Sequence, residues 1–244
     1  MVGGYKMNYE IIAEIGQNHN GDMALAKELI LAAKENGSSA AKFQLYDAKS
    51  LFDKEGNEWF EYNCKTELTR ENVQELSEFC LKENIEFMAS VFDIERVDWL
   101  EEINVKRYKI ASRSIRDTQL INKLGSLEKP LLVSLGRWKD REFPVINTKA
   151  RVDFLYCISN YPTDLTELNL AKVNFEHYGG FSDHTIGTTA SKIAMARGAK
   201  IIEKHFTFDK KMYGPDHSGS ITPDELSELV NFKNELVKTL ESKI

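Results

Sequence analysis

A single-domain (β/α)8 barrel is the fold the sequence predicts, and three observations predict it. Apolar runs of strand length alternate with amphipathic helical stretches along the chain, the pattern of a parallel sheet covered by helices. Roughly eight such units fit into 244 residues, the ordinary size of that barrel. No linker, low-complexity segment or short repeat interrupts the alternation, so one domain over residues 1–244 is expected. A doubly wound open sheet is the alternative.

The elements follow in order. Strands are predicted over residues 10–15, 40–45, 85–91, 107–111, 131–134, 152–157, 179–182 and 200–203. Helices are predicted over 23–36, 70–84, 94–103, 117–125, 165–173, 188–197 and 223–240. The first helix is announced by Asn20-Gly21-Asp22, carries Leu25, Leu29, Ile30 and Ala33 on one face, and ends at Gly37. The last opens with Thr222 as N-cap, Pro223 at the first helical position and Glu225 three residues after the cap. Between 137 and 149, Pro144 and scattered charges leave room only for a short or broken helix.

Composition excludes several classes. Hydrophobic residues at 42% and charged residues at 29% supply an ordinary core and surface. A net charge of -6 lacks the basic footprint of a nucleic-acid binder. Fourteen Gly and five Pro are too few for a disordered or fibrous chain. No apolar run approaches the roughly 20 residues that span a bilayer, and Met1–Met7 lacks the apolar stretch of a signal peptide. Cys64, Cys80 and Cys157 are odd in number and form no C-x-x-C, which argues against disulfides or a cysteine zinc site and for the cytoplasm.

In such a barrel the chemistry sits where strands end, and here polar residues gather at those ends. They include Glu14, Lys42 and Gln44, Ser90, Lys109 and Ser112, Ser134, Ser159 and Tyr161, Ser182 and His184, and Glu203 with His205. Strand alternation puts Lys42 with Gln44, Ser182 with His184, and Glu203 with His205 on shared faces, expected to point into the barrel mouth. His184 and His205 end adjacent strands and can share a divalent ion, or serve as a structural pair. Lys42 and Lys109, ringed by serines, suit a small phosphate- or carboxylate-bearing anion. The alternatives are lysines that reach solvent, or one that forms a Schiff base.

Several segments together resemble the sialic acid (N-acetylneuraminate) synthase family. They are Ala13-Glu14-Ile15-Gly16-Gln17-Asn18-His19-Asn20-Gly21, Lys42-Phe43-Gln44, Lys109-Ile110-Ala111-Ser112, Ser159-Asn160-Tyr161-Pro162, Ser182-Asp183-His184-Thr185-Ile186-Gly187, Glu203-Lys204-His205-Phe206-Thr207 and Gly214-Pro215-Asp216-His217. The resemblance implies a barrel that condenses phosphoenolpyruvate with an open-chain sugar aldehyde and releases phosphate. It implies Mn²⁺ or Mg²⁺ at His184 and His205, and a homodimer as the assembly. It implies phosphoenolpyruvate at Lys42, Ser90, Lys109, Ser112, Ser134, Ser159 and Ser182, with Gln44, Tyr161 and Asp216 toward the sugar. Glu14 is the candidate for steering a proton or water; its alternative is a structural anchor for the loop around Asn18 and His19. His205 is counted with Glu14 as catalytic through the ion.

Three departures are visible. The family usually carries an acidic residue two positions after Ser112, where this chain has Arg113-Ser114. The usual Ser-Thr-Gly-Met is Ser134-Leu135-Gly136-Arg137. The common C-terminal antifreeze-like domain is expected to be absent after the last helix. All three bear on the acceptor, so an acceptor other than N-acetylmannosamine is expected. Arg113, Arg116 and Arg137 favour one bearing phosphate or carboxylate. A pseudoenzyme that binds a sugar or phosphoenolpyruvate without turnover is the alternative.

Overall fold

Eight parallel strands close on themselves in chain order in a computed structural model of the chain, which describes residues 9–241. Closure excludes the open sheet. The strands are β1 Glu10–Gly16, β2 Ala40–Leu45, β3 Glu86–Val91, β4 Tyr108–Ile110, β5 Leu131–Ser134, β6 Val152–Cys157, β7 Gly180–Asp183 and β8 Ile201–His205. The helices are α1 Met23–Glu35, α2 Ala48–Leu51, α3 Phe60–Thr66, α4 Arg70–Lys82, α5 Ile94–Glu102, α6 Thr118–Ser126, α7 Thr189–Ala196 and α8 Pro223–Glu241. The expectation drawn from Met1–Met7 lies outside the described residues. Among the described residues no helix is long and apolar enough to cross a membrane.

The predicted caps act as caps. The Asp22 side chain accepts from the backbone N–H groups of Ala24 and Leu25 at the start of α1, and Glu225 accepts from Thr222 N at 2.9 Å at the start of α8. One predicted helix is corrected, and the segment that left room only for a short or broken helix holds none. Residues 165–173 form two 3₁₀ turns, Leu165–Glu167 and Leu170–Lys172, because Asn169 turns left-handed at φ 45° between them. Residues 137–149 form no helix; Pro144 removes a donor there, and Phe143 packs on Phe154 and Tyr178 instead. The short α2 and α3 after β2 were not expected, being four and seven residues long, too short to show a period.

Alternation along the strands divides the molecule. Outward residues such as Ile11, Phe43, Phe87 and Phe181 pack under the helices in one large cluster. Inward residues Ile12, Ala40, Met88, Leu132, Leu155 and Ile201 fill the barrel interior as a separate cluster. Below them, at the N-terminal end, Arg107 pairs with Glu10 at 2.6 Å and with Glu86 at 2.9 Å. The closed, packed lower half confines the chemistry to the upper rim.

One buried ion pair lies on the outer face of the sheet, beneath α7. Lys204 and Asp183 approach to 3.2 Å with fully buried side chains. Asp183 also accepts from the Thr185 backbone N–H at 2.8 Å and from the Ser191 hydroxyl at 2.5 Å, and Lys204 donates to Thr185 O at 2.6 Å. Every charge-bearing atom is therefore satisfied, and the turn that carries His184 is pinned between β7 and α7.

Candidate active site

Two residues beyond the apolar interior layer, the same strands change character. Ile12 is followed by Glu14, Ala40 by Lys42, Met88 by Ser90, Leu132 by Ser134, Leu155 by Cys157 and Ile201 by Glu203. Lys109 of β4 and Ser182 of β7 complete this polar tier, and Gln44, His184 and His205 stand two residues higher. All of them line one cavity together with Ser112 and Tyr161. The shared faces expected from strand alternation are thus the faces that meet.

At the centre the charges alternate. Lys42 pairs with Glu14, lies 3.6 Å from Glu203 and donates to Ser90 Oγ at 2.9 Å. Lys109 lies 3.3 Å from Glu203 Oε1, to which the Ser182 hydroxyl donates at 2.7 Å. The predicted lysine pair is therefore balanced by two carboxylates. Glu203 reads in sequence only as a strand-end residue, because sequence does not show that its Oε1 lies between Lys109 and Ser182. Burial pulls the Lys42 pKa down to about 7, with Lys109 adding to the fall and Glu203 opposing it. Glu203 is held down at about 2 against its own burial, by Lys109 and then Lys42.

Glu14 accepts from the Gln44 amide at 3.2 Å. The loop around Asn18 and His19 holds itself. Asn18 donates to Phe206 O and to Ser220 Oγ, both at 2.9 Å, and Gln17 donates to Asn63 at 3.0 Å. Asn20 meets the Tyr62 hydroxyl at 2.6 Å and His217 at 3.0 Å. These bonds clasp the end of β1 to α3 and to the segment after β8. Gly16 makes the preceding bulge possible: the pairing with β2 slips between Glu14 and Gly16, and Gly16 takes φ 53°.

The two histidine rings lie 5.8 Å apart. His184 Nδ1 faces Ile158 O at 2.7 Å, which makes it the protonated nitrogen and leaves Nε2 its lone pair. Burial works against a charged His184, but Cys157, 3.7 Å from Nδ1, and the Ile158 carbonyl leave its pKa raised. Burial lowers the His205 pKa to about 4, so this ring is neutral near pH 7. Its Nδ1 is buried without a hydrogen-bond partner, and the Asp216 carboxylate lies 3.8 Å away.

An orphaned nitrogen on one ring and an Nε2 lone pair on the other, with the ring centroids 5.8 Å apart, fit a divalent cation. Among the described residues no set of three His, Cys, Asp or Glu side chains has metal-binding geometry. The residues that would hold such an ion are then His184 and His205.

Ser134 Oγ and Ser159 Oγ are likewise buried without partners, and the Ser112 hydroxyl accepts from Gly136 N at 3.0 Å. Gly136 keeps this corner open, since a Cβ there would come within 2.5 Å of Ser159 Oγ. Tyr161 covers the His184 ring at 4.1 Å between centroids. Above, Gln17, Gln44, Asn63, Trp59, Tyr161, Asp216 and others line an outer mouth of about 290 Å³. Trp59 and Asn63 were missed because α3 was missed. Every sequence-predicted site residue therefore borders the central cavity or this mouth. Arg113 and Arg137 reach the mouth as well, but Arg116 does not: it turns aside to Asp140 at 3.3 Å and stacks on Trp138.

Comparison with known proteins decides the lineage. The sequence matches the NeuB family over residues 29–244. The chain belongs to the NeuB family. The N,N'-diacetyllegionaminic acid synthase of Legionella pneumophila is 38% identical over 255 residues, covering 93% of this chain and 72% of that one. The human N-acetylneuraminate-9-phosphate synthase is 32% identical over 244 residues, covering 90% and 68% respectively. The crystal structure of the N-acetylneuraminic acid (sialic acid) synthetase from Leptospira borgpetersenii superposes with a TM-score of 0.89 at 30% identity, covering 100% of this chain and 90% of that one. This NeuB-family chain is an enzyme, a carbon–carbon bond-forming transferase of the sugar-acid synthase class.

Proposed function

We propose that this NeuB-family enzyme condenses phosphoenolpyruvate with an open-chain sugar aldehyde, giving a 2-keto-3-deoxy sugar acid and phosphate. The observation that carries the reading is the meeting of Lys42, Lys109, Ser90, Ser112, Ser134, Ser182 and both histidines in one cavity at the closed barrel's upper rim. In the reaction C3 of phosphoenolpyruvate bonds to the aldehyde carbon, whose oxygen becomes a hydroxyl. Water adds to C2, and phosphate leaves with the electron pair of its C2–O bond, leaving the ketone.

The residues divide this work. Lys42 and Lys109, with Ser90, Ser112, Ser134, Ser159 and Ser182, hold the anionic donor and fix its reacting face. Glu14, paired with Lys42 and bonded by Gln44, is placed to take or return a proton beside them. Gln44, Tyr161 and Asp216 line the route by which the aldehyde enters. A divalent ion, Mn²⁺ or Mg²⁺, at His184 and His205 supplies Lewis-acid polarisation of the aldehyde oxygen. The acceptor proposed is an aldose other than N-acetylmannosamine itself. A pseudoenzyme role has no observation in its favour. We place the enzyme in the cytoplasm, acting on small molecules, with a homodimer as its assembly.

The test is phosphate release from phosphoenolpyruvate in the presence of aldoses, with the 2-keto acid product detected separately. Turnover is expected, lost on chelation and restored by Mn²⁺ or Mg²⁺. Binding of phosphoenolpyruvate without release under any of these conditions would overturn the proposal. A pH dependence follows from Lys42. Its charged form holds the donor, and burial places its pKa at about 7, so the charge is present below that pH and lost above it. The kcat/KM for phosphoenolpyruvate is expected to fall as pH rises from about 7 to 9, by about tenfold per unit at the end. A flat profile across that interval would remove Lys42 from donor binding.

A further inference from the structure

Beside the mouth lies a second cavity of about 560 Å³, open to it along Ser112, Arg113, Arg137 and Ser159. Its lining contains Arg113, Arg116, Arg137 and Lys139, and no Asp or Glu. Arg116 is neutralised by Asp140. The other three are different. Among the described residues Arg113, Arg137 and Lys139 have no carboxylate within ion-pair distance.

Arg113 is held from below rather than paired. Its guanidinium stacks on Phe52 at 5.1 Å, and its Nη2 lies 3.5 Å from Leu51 O, which fixes the fork without cancelling its charge. Its burial and then the charge of Arg137 lower its pKa, so the two guanidinium groups are close enough to repel. Ser114, buried in the turn Ser112–Ser114, brings no charge against them. Like charges held together with no counter-charge raise the energy of the free protein, and an anion between them relieves it.

We propose that Arg113, Arg137 and Lys139 form an anion subsite for a phosphate or carboxylate carried by the sugar acceptor at the end remote from its aldehyde. This rests on the synthase reading and supplies its acceptor class. The donor's own anionic groups are accounted for by Lys42, Lys109 and the serines one tier lower. Ser112 and Ser159 border the new cavity on one side and the donor region on the other, so a chain molecule can reach from one to the other. The guanidinium forks give phosphate and carboxylate paired N–H donors.

The experiment compares three acceptors of one aldose skeleton in the phosphate-release assay: neutral, 6-phosphorylated, and oxidised to the 6-carboxylate. The native enzyme is expected to favour one anionic acceptor over the neutral one by at least about tenfold in kcat/KM, and which one it favours distinguishes phosphate from carboxylate. In Arg137→Gln this preference ratio should fall by about tenfold through KM, while Arg137→Lys keeps part of it. A native enzyme indifferent to charge, or a ratio unchanged in Arg137→Gln, would overturn the subsite. If no acceptor releases phosphate, the synthase reading fails separately. Calorimetry with a hexose 6-phosphate then decides the subsite: binding about tenfold weaker in Arg137→Gln supports it, and equal binding overturns it. Arg137 is exposed, so neither variant threatens the fold, and thermal melting checks this.

Discussion

Replacing Lys42 by Met is expected to lower kcat/KM for phosphoenolpyruvate by about 10³-fold, at the upper end for loss of one preorganised charged donor. Lys42 sits between Glu14 and Glu203 and donates to Ser90. Its loss removes positive charge from the donor pocket and leaves two buried carboxylates facing each other. Both effects oppose a trianion. A steady-state assay with circular dichroism melting separates catalysis from folding. In the double variant Lys42→Met with Glu14→Gln, stability should return toward native as one uncompensated charge disappears, but turnover should not. A single variant with native kcat/KM would show that the donor binds elsewhere.

The largest expected effect on stability is at Asp183. Its carboxylate faces Lys204 at 3.2 Å and accepts from Thr185 and Ser191, all inside the protein. Asp183→Ala leaves the Lys204 ammonium buried without a counter-charge, which costs about 3–5 kcal/mol. Urea unfolding should show this loss, and the melting temperature should fall by about 10 °C. Adding Lys204→Met should recover much of it, because the stranded charge is then gone. Turnover should also drop in Asp183→Ala, since the neighbouring His184 depends on the turn that Asp183 pins. A loss below about 1 kcal/mol would mean the pair is not buried as described.

Much of the fold was legible because barrel strands carry a local signal. β2, β5 and β6 begin and end where their apolar runs do, and α1 is bounded by Asp22 and Gly37. The failures had physical causes. Asn169 in the left-handed region splits a run that reads as helical, and no periodicity announces left-handed backbone at a non-glycine. α2 and α3 are shorter than the window in which a helical period shows, so Trp59 and Asn63 at the mouth were missed with them. The site's polar ring was legible too, since polar side chains at every second position of buried strands are costly without a purpose. Partner choice was not. Glu14 reads equally as a loop anchor or a reacting group, and its contact with Lys42 comes only from the pairing of β1 with β2. Arg113, Arg116 and Arg137 look alike in sequence, yet Asp140 claims one and leaves the others toward the cavities.

The order of strands and helices, the rim that carries the chemistry and the residue types gathered there were determined by sequence alone, because period, capping and burial cost act over a few neighbouring residues. Which charges neutralise one another was decided only by tertiary structure. Lys42 meets Glu14, Glu203 and Ser90 from three other strands, and Coulomb interaction depends on distances that barrel closure sets between residues far apart in the chain.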